Sequence, residues 1–102
     1  MRQGEVRKVR IFDACEVDYG TANVSMEAGD TIQWVSACES GFTIHFESSP
    51  FNYVGDYHVR AGGEGVNSGP LKTGTPYASY HYSIQSDSDP SQSADPDVDV
   101  RK

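Results

Sequence analysis

Three histidines and two cysteines are the side chains of this sequence best suited to chemistry: His45, His58, His81, Cys15 and Cys38. Imidazole nitrogens and thiolate sulfurs are common ligands of transition metals. His45 and His81 alternate with apolar neighbours, so we expect both to face away from a core. A metal site built from all three histidines would need three distant strands to converge, so we interpret them as surface imidazoles. The cysteines form no Cys-x-x-Cys motif and have no basic cluster beside them to favour a thiolate, which argues against a redox-active dithiol.

Serine and aspartate are abundant, but their spacing matches neither a catalytic nor a calcium-binding pattern. No serine lies in a Gly-x-Ser-x-Gly turn, the motif that exposes a nucleophile. Five aspartates form a cluster that could collect Ca²⁺ through oxygen ligands: Asp87, Asp89, Asp95, Asp97 and Asp99. The EF-hand pattern fails there, because the segment has no Gly at a sharp turn and no closing Glu. We therefore interpret the cluster as solvated loop charges, and we predict a protein that is not an enzyme and has no cofactor.

Apolar residues that alternate with polar ones predict short β-strands along most of the chain. Two segments show the clearest alternation, with large side chains on one face: Phe42, Ile44 and Phe46 in the first, and Tyr80, Tyr82 and Ile84 in the second. Weaker patterns predict strands near 6–12, 23–26, 31–35 and 97–101, and an edge strand or a hairpin near 51–59. Gly and polar residues predict turns or loops at 27–30, 36–41 and 61–69.

These elements predict an all-β fold in a single domain that spans residues 1–102. No ten consecutive residues have helical spacing without a Gly, a Pro or a β-branched cluster intervening. About seven short strands in a chain of this length are typical of a Greek-key β-sandwich. Segment 85–96 consists almost wholly of Ser, Asp, Pro and Gln, so it has nothing to bury and is predicted to be a mobile acidic loop.

Net charge argues against a nucleic-acid partner, and hydropathy argues against a membrane span. Eight Lys and Arg face fifteen Asp and Glu, which gives a formal charge of −7, and this surface would repel a phosphate backbone. Nucleic acid is therefore not an expected partner. No apolar run approaches the roughly 20 residues that cross a bilayer, so we expect no membrane span. We expect a periplasmic or extracellular location if a signal peptide has been removed from the protein, and a cytoplasmic one otherwise.

Residues 24–34, the run from residue 68 to Tyr82 and residues 98–100 together resemble a known family, the cupredoxins, to which plastocyanin and azurin belong. Residues 24–34 are similar to the family's strand that enters a Gly-Asp turn and leaves as a second strand ending in an aromatic residue. Residues 68–71, Gly74 and the Tyr80-His81-Tyr82 run are similar to the region that leads into the copper-loop strand. Residues 98–100 resemble the last strand. The resemblance covers nearly the whole chain and implies the cupredoxin sandwich.

The same resemblance argues against the family's copper site. Cupredoxins hold copper with two His, one Cys thiolate and usually an axial Met. In this register the first His position falls at or near Phe42, and the Cys position falls at or near Ile84. Segment 85–97, where the second His and the Met should follow, contains no His, Cys or Met. The vacated ligand positions imply a cupredoxin-like domain without a type-1 copper site.

The resemblance also bears on Cys15 and Cys38, which follow the first and third predicted strands. In the resembled fold these strands run side by side in the same direction, so both sulfurs should lie near one end of the sandwich. A disulfide between them and a pair of free, partly buried thiols both remain open. In either case we expect the two residues to lie within bridging distance.

We predict a non-catalytic binding or accessory module with an unknown protein partner. Loops at one end of a rigid sandwich commonly carry recognition, and the acidic composition of these loops favours a cationic partner. The candidate contact residues are Glu39, Ser40, Asp87, Asp89 and Asp95. The alternative is a metal-binding or electron-transfer protein with a non-standard site near Cys15 and Cys38.

Overall fold

The computed structural model describes residues 5–12, 16–18, 20–53, 55–63, 65–89 and 91–102 of the chain. Nine strands occur within these ranges: β1 (Val6–Ile11), β2 (Thr21–Ser25), β3 (Thr31–Ser36), β4 (Phe42–Phe46), β5 (Tyr57–Val59), β6 (Val66–Asn67), β7 (Ser79–Ser86), β8 (Ser93–Ala94) and β9 (Asp97–Arg101). The described residues contain no helix, so the prediction of an all-β fold is confirmed.

The strands form two sheets that pack face to face. The smaller sheet has the order β1-β3-β6, and the larger has the order β2-β9-β7-β4-β5, with β8 added to β7. Strands β1 and β3 are parallel, as are β2 and β9, whereas β4 is antiparallel to both β5 and β7. The predicted sandwich is therefore confirmed.

Alternating side chains of both sheets fill the space between them. Strand β4 has the expected pattern, with Phe42, Ile44 and Phe46 buried and His45 exposed. Trp34 of β3 is fully buried at the centre of an aromatic cluster. The centroid of its ring lies 4.9 to 6.5 Å from the centroids of four other rings, those of Phe46, Phe51, Tyr57 and Tyr82. The few large side chains of this sequence thus form one shared core.

The predicted turn at 27–30 is present and is organised by a buried carboxylate. Gly29 has φ of 75°, a left-handed conformation that favours glycine, and Asp30 is only 1% exposed. The Asp30 carboxylate accepts hydrogen bonds from the backbone N–H groups of Glu5 at 2.8 Å and Ser25 at 2.9 Å. One side chain therefore joins the turn to the residue before β1.

Two predicted loops contain short strands. Segment 61–69 includes β6, which pairs with β3. Gly65, just before β6, has φ of +95°, and a Cβ there would lie 2.5 Å from the carbonyl oxygen of Trp34, so this close pairing requires glycine. Neither β6 nor β8 was predicted, because a two-residue strand is too short to show a periodicity.

Segment 85–96 is more regular than a free loop. Its first two residues belong to β7, and Ser93 and Ala94 form β8, which pairs with Gln85 and Ile84 of β7. Ser86 and Pro96 are buried. The expectation that the whole segment is loop is therefore wrong, because backbone pairing with β7 needs no apolar side chains. The mobility of the remaining residues stays a prediction.

Strand β1 ends at Ile11, one residue before the end of the strand predicted near 6–12. Val9 and Ile11 are fully buried, but Val6 and Phe12 are 56% and 38% exposed.

Along the described parts of the chain, no helix has both the length and the apolar character needed to cross a membrane.

Candidate functional site

The two positions that the resemblance assigns to copper ligands lie on neighbouring strands. Phe42 begins β4, and Ile84 lies in β7 opposite Ile44, so the two side chains are diagonal neighbours on the inner face of the sheet. Both are buried, at 1% and 0% exposure. Neither side chain has a lone pair, and both pack into the core.

The loops next to these positions are held together by hydrogen bonds between polar groups. The backbone N–H of Asp87 donates to the carbonyl oxygen of Gly41 at 3.0 Å, and the hydroxyls of Ser40 and Ser88 lie 3.2 Å apart. The Thr43 hydroxyl donates to the Asp87 carboxylate at 2.7 Å. Segments 37–41, 87–89 and 91–92 therefore form one surface, which we call the loop end.

Four of the five predicted contact residues belong to the loop end: Glu39, Ser40, Asp87 and Asp89. Asp89 shapes its own segment, because its carboxylate accepts from the backbone N–H of Ser91 at 3.2 Å and from the Ser91 hydroxyl at 2.6 Å. Glu39, Asp87 and Asp89 are exposed. Asp95 lies elsewhere, beyond β8, where it lines a depression on the exposed face of the larger sheet. The loop end therefore concentrates three carboxylates.

Cys38 lies at the base of the loop end as a free, partly buried thiol. The buried Ser36 hydroxyl holds this segment by donating to the carbonyl oxygen of Ser40 at 2.6 Å. Strands β1 and β3 are parallel, with Ile11 opposite Ser36, as the disulfide hypothesis requires. Cys15 lies outside the described residues, so the bridging distance between Cys15 and Cys38 stays a prediction.

All three histidines lie on the exposed face of the larger sheet, on the adjacent strands β5, β4 and β7. His45 contacts Asp56 through Nδ1 at 2.7 Å, and His81 contacts Asp97 through Nδ1. The Nδ1 atom of His58 lies 3.5 Å from the Thr43 hydroxyl. The predicted surface location of His45 and His81 is confirmed, since their side chains are 56% and 77% exposed.

The strands that carry these histidines are distant in sequence but are neighbours in the sheet, which the sequence analysis did not anticipate. A depression of about 240 Å³ lies beside two of the histidines and is lined by His45, Glu47, His81, Tyr82, Ser83 and Asp95. As placed in the structure, the described His, Cys, Asp and Glu side chains include no group of three or more that could hold a metal ion.

The two buried tyrosines near this region have structural roles. Burial raises the pKa of Tyr82 and that of Tyr57 to about 12, so both phenols are neutral at ordinary pH. The Tyr82 oxygen accepts a hydrogen bond from Trp34 Nε1 at 3.2 Å, and the Tyr57 hydroxyl donates to the carbonyl oxygen of Ser68 at 2.7 Å. These hydroxyls join the two sheets.

The chain is similar to the reduced Cu(I) form, at pH 4, of a mutant of amicyanin, with 16% identity over 99% of this chain and 86% of that chain, and a TM-score of 0.51. The chain has a cupredoxin-like fold. No family model and no curated protein matches the sequence.

The cupredoxin-like fold is therefore visible in the arrangement of strands and hardly at all in sequence identity. At this identity the likeness concerns the architecture alone.

Sequence reasoning missed the roles of three carboxylates: Asp30 as the buried acceptor of the 27–30 turn, and Asp56 and Asp97 as the partners of His45 and His81. Asp97 carried a usable signal, because it alternates with Val98 and Val100 and therefore points outward. The turn that contains Asp30 has a local signal, but the burial of its carboxylate does not, and Asp56 is placed beside His45 by the pairing of β5 with β4, which leaves no local trace in the sequence.

Proposed function

We propose that this protein is a non-catalytic, cupredoxin-like binding module that contacts a cationic protein partner through the loop end. The observation that carries the proposal is the cluster of exposed carboxylates on two loops that are anchored to each other and to β4. A recognition surface of this kind needs a rigid base with exposed charged groups.

Anchoring supports recognition because it lowers the entropy cost of binding. The contacts of Asp87 with Gly41 and Thr43 hold the second loop against the end of β4. Asp89 orders the following turn through Ser91. Side chains on such loops lose less conformational freedom on binding than side chains on a free segment would.

The absence of a type-1 copper function is supported by the core. A copper ion at the family's position would need donor atoms where Phe42 and Ile84 are buried against apolar neighbours. Replacing either side chain with a ligand would put a polar group into the core without a partner, at a cost of roughly 1–3 kcal/mol. The apolar pair is thus part of the packing of this sandwich.

The cationic preference is tested with a lysine-rich peptide as the probe. We expect the peptide to bind more weakly as the salt concentration rises. We also expect the double variant Glu39→Lys/Asp89→Lys to bind it about tenfold more weakly at low salt, because each reversed charge costs roughly 0.5–1 kcal/mol of binding free energy. Fluorescence anisotropy over a salt series measures both effects.

Glu27→Lys is the matched control, because Glu27 is an exposed glutamate at the opposite end of β3. It changes the net charge in the same direction and should weaken binding by less than about twofold. Glu27→Lys reverses one charge and the loop-end variant reverses two, so a control that lost half as much binding free energy as the loop-end variant would show that only the net charge matters, and would contradict the proposed surface.

Copper loading tests the other part of the proposal. We expect the reduced protein to show no intense visible absorption band when one equivalent of Cu(II) is added. The reason is that Phe42 and Ile84 occupy the positions where the family has its imidazole and thiolate ligands. Absorption spectroscopy over the visible range is the measurement, with the Cys38→Ser variant as control. An intense band that disappears in Cys38→Ser would favour the alternative metal or electron-transfer site near Cys15 and Cys38.

A further inference from the structure

We propose that His45 and His81 form a surface binding site for one divalent transition-metal ion such as Zn²⁺, completed by the carboxylate of Glu47 or Asp95. The site lies on the exposed face of the larger sheet, around the depression beside β4 and β7. It is separate from the loop end and does not depend on the partner binding proposed above.

Strand register brings the two imidazoles together. His45 of β4 pairs with Ser83 of β7, and His81 lies two residues before Ser83 on the same face of β7. Such diagonal neighbours have Cα atoms roughly 7–8 Å apart, within reach of long or aromatic side chains. Both imidazoles line the same depression, together with Glu47 and Asp95.

Hydrogen bonds prepare both rings for metal binding. The Nδ1 atom of each ring contacts a carboxylate, Asp56 for His45 and Asp97 for His81. An ionised carboxylate only accepts hydrogen bonds, so Nδ1 must carry the proton and, in the neutral ring, the lone pair is on Nε2. Metal-ligating histidines in proteins show this same arrangement, in which an outer carboxylate fixes the tautomer and orients the ring.

The surrounding groups supply charge and the remaining ligands. Glu47 is exposed and directly follows β4, and Asp95 is exposed and follows β8, so each carboxylate is free to rotate toward the depression. This rotation is necessary, because the His, Cys, Asp and Glu side chains of the described residues form no group of three that could hold a metal ion in their present positions. Two imidazoles, one carboxylate and water make a tetrahedral set that suits Zn²⁺.

His58 provides a matched control on the same face of the sheet. It lies on β5 opposite Thr43, and its Nδ1 atom lies 3.5 Å from the Thr43 hydroxyl. It does not line the depression that His45 and His81 share. A histidine that binds metal only because it is exposed should behave like His58.

Isothermal titration of the full chain with ZnCl₂ tests the site. We expect the protein to bind one equivalent of Zn²⁺. His45→Ala and His81→Ala should each weaken Zn²⁺ binding by about 100-fold or more, and His58→Ala should leave it unchanged. Asp56→Asn and Asp97→Asn should weaken it by roughly 10–100-fold, as loss of an outer carboxylate does elsewhere.

A second measurement on the unaltered protein removes any dependence on how the variants fold. In NMR spectra with one equivalent of Zn²⁺, the ring signals of His45 and His81 should shift while those of His58 stay in place. Equal responses of all three histidines, several weak equivalents, or binding that survives His45→Ala would show an adventitious surface ion and overturn the proposal. Because the loop end lacks these residues, failure here leaves the peptide and copper tests unaffected.

Discussion

Replacing Trp34 with alanine is expected to lower the free energy of unfolding by about 3–5 kcal/mol, the usual cost of deleting a buried Phe or Trp side chain. Trp34 is fully buried, and its ring contacts aromatic side chains from β4, β5 and β7 as well as the Phe51 segment. The deletion therefore removes contacts between the two sheets and leaves a cavity at their centre. It also leaves the Tyr82 oxygen without the hydrogen bond from the indole.

Urea unfolding followed by circular dichroism measures the loss, and Tyr77→Ala is the control. Tyr77 is a large aromatic residue that is 58% exposed, so its truncation should change the free energy of unfolding by no more than about 0.5 kcal/mol. A Trp34→Ala loss below about 1.5 kcal/mol would mean that the sheets repack around the cavity. It would contradict the central position of Trp34 in the core.

Asp30→Ala is expected to lower the free energy of unfolding by about 2–4 kcal/mol, although the change removes only a few atoms. The Asp30 carboxylate is buried and accepts hydrogen bonds from the backbone N–H groups of Glu5 and Ser25. Arg7 lies 3.7 Å from the same carboxylate. Without Asp30, two N–H groups lose a buried acceptor, and the turn between β2 and β3 loses its side-chain link to the residue before β1.

Asp18→Ala is the matched control for this change. Asp18 also accepts from a backbone N–H, that of Arg10, and pairs with the Arg10 guanidinium, but both contacts lie at the surface. Water can replace them, so we expect a loss of about 1 kcal/mol or less. Asp30→Asn, which keeps one acceptor oxygen, should fall between the two. Equal losses for Asp30→Ala and Asp18→Ala in urea unfolding would show that burial adds nothing at Asp30.

The strands of the core were predictable because their signal is local. In β4 and β7, large apolar side chains recur at every second residue, and this period is itself the geometry of a strand with one buried face. The Gly-Asp turn before β3 was predictable for a similar reason, since Gly29 needs a left-handed backbone and no distant partner. The order of these signals along the chain was also sufficient to indicate the cupredoxin-like sandwich.

The sites were less predictable, because they depend on which strands become neighbours. Sequence alone grouped Asp95 with Asp87 and Asp89, but pairing of β8 with β7 carries Asp95 onto the sheet face beside His45 and His81. Similarly, the partners of His45 and His81 are set by register, which places Asp56 and Asp97 beside them.

The sequence by itself determined the all-β class, the buried faces of the main strands and the apolar identity of Phe42 and Ile84. Each of these depends on side-chain type and on a period of two residues, which neighbouring positions are enough to define. Only the tertiary structure decided the buried role of Asp30, the short strands β6 and β8, and the placement of three histidines on one face. These features arise from contacts between segments far apart in the chain, and a one-residue change of register in β4, β5 or β7 would move the histidine of that strand to the opposite face.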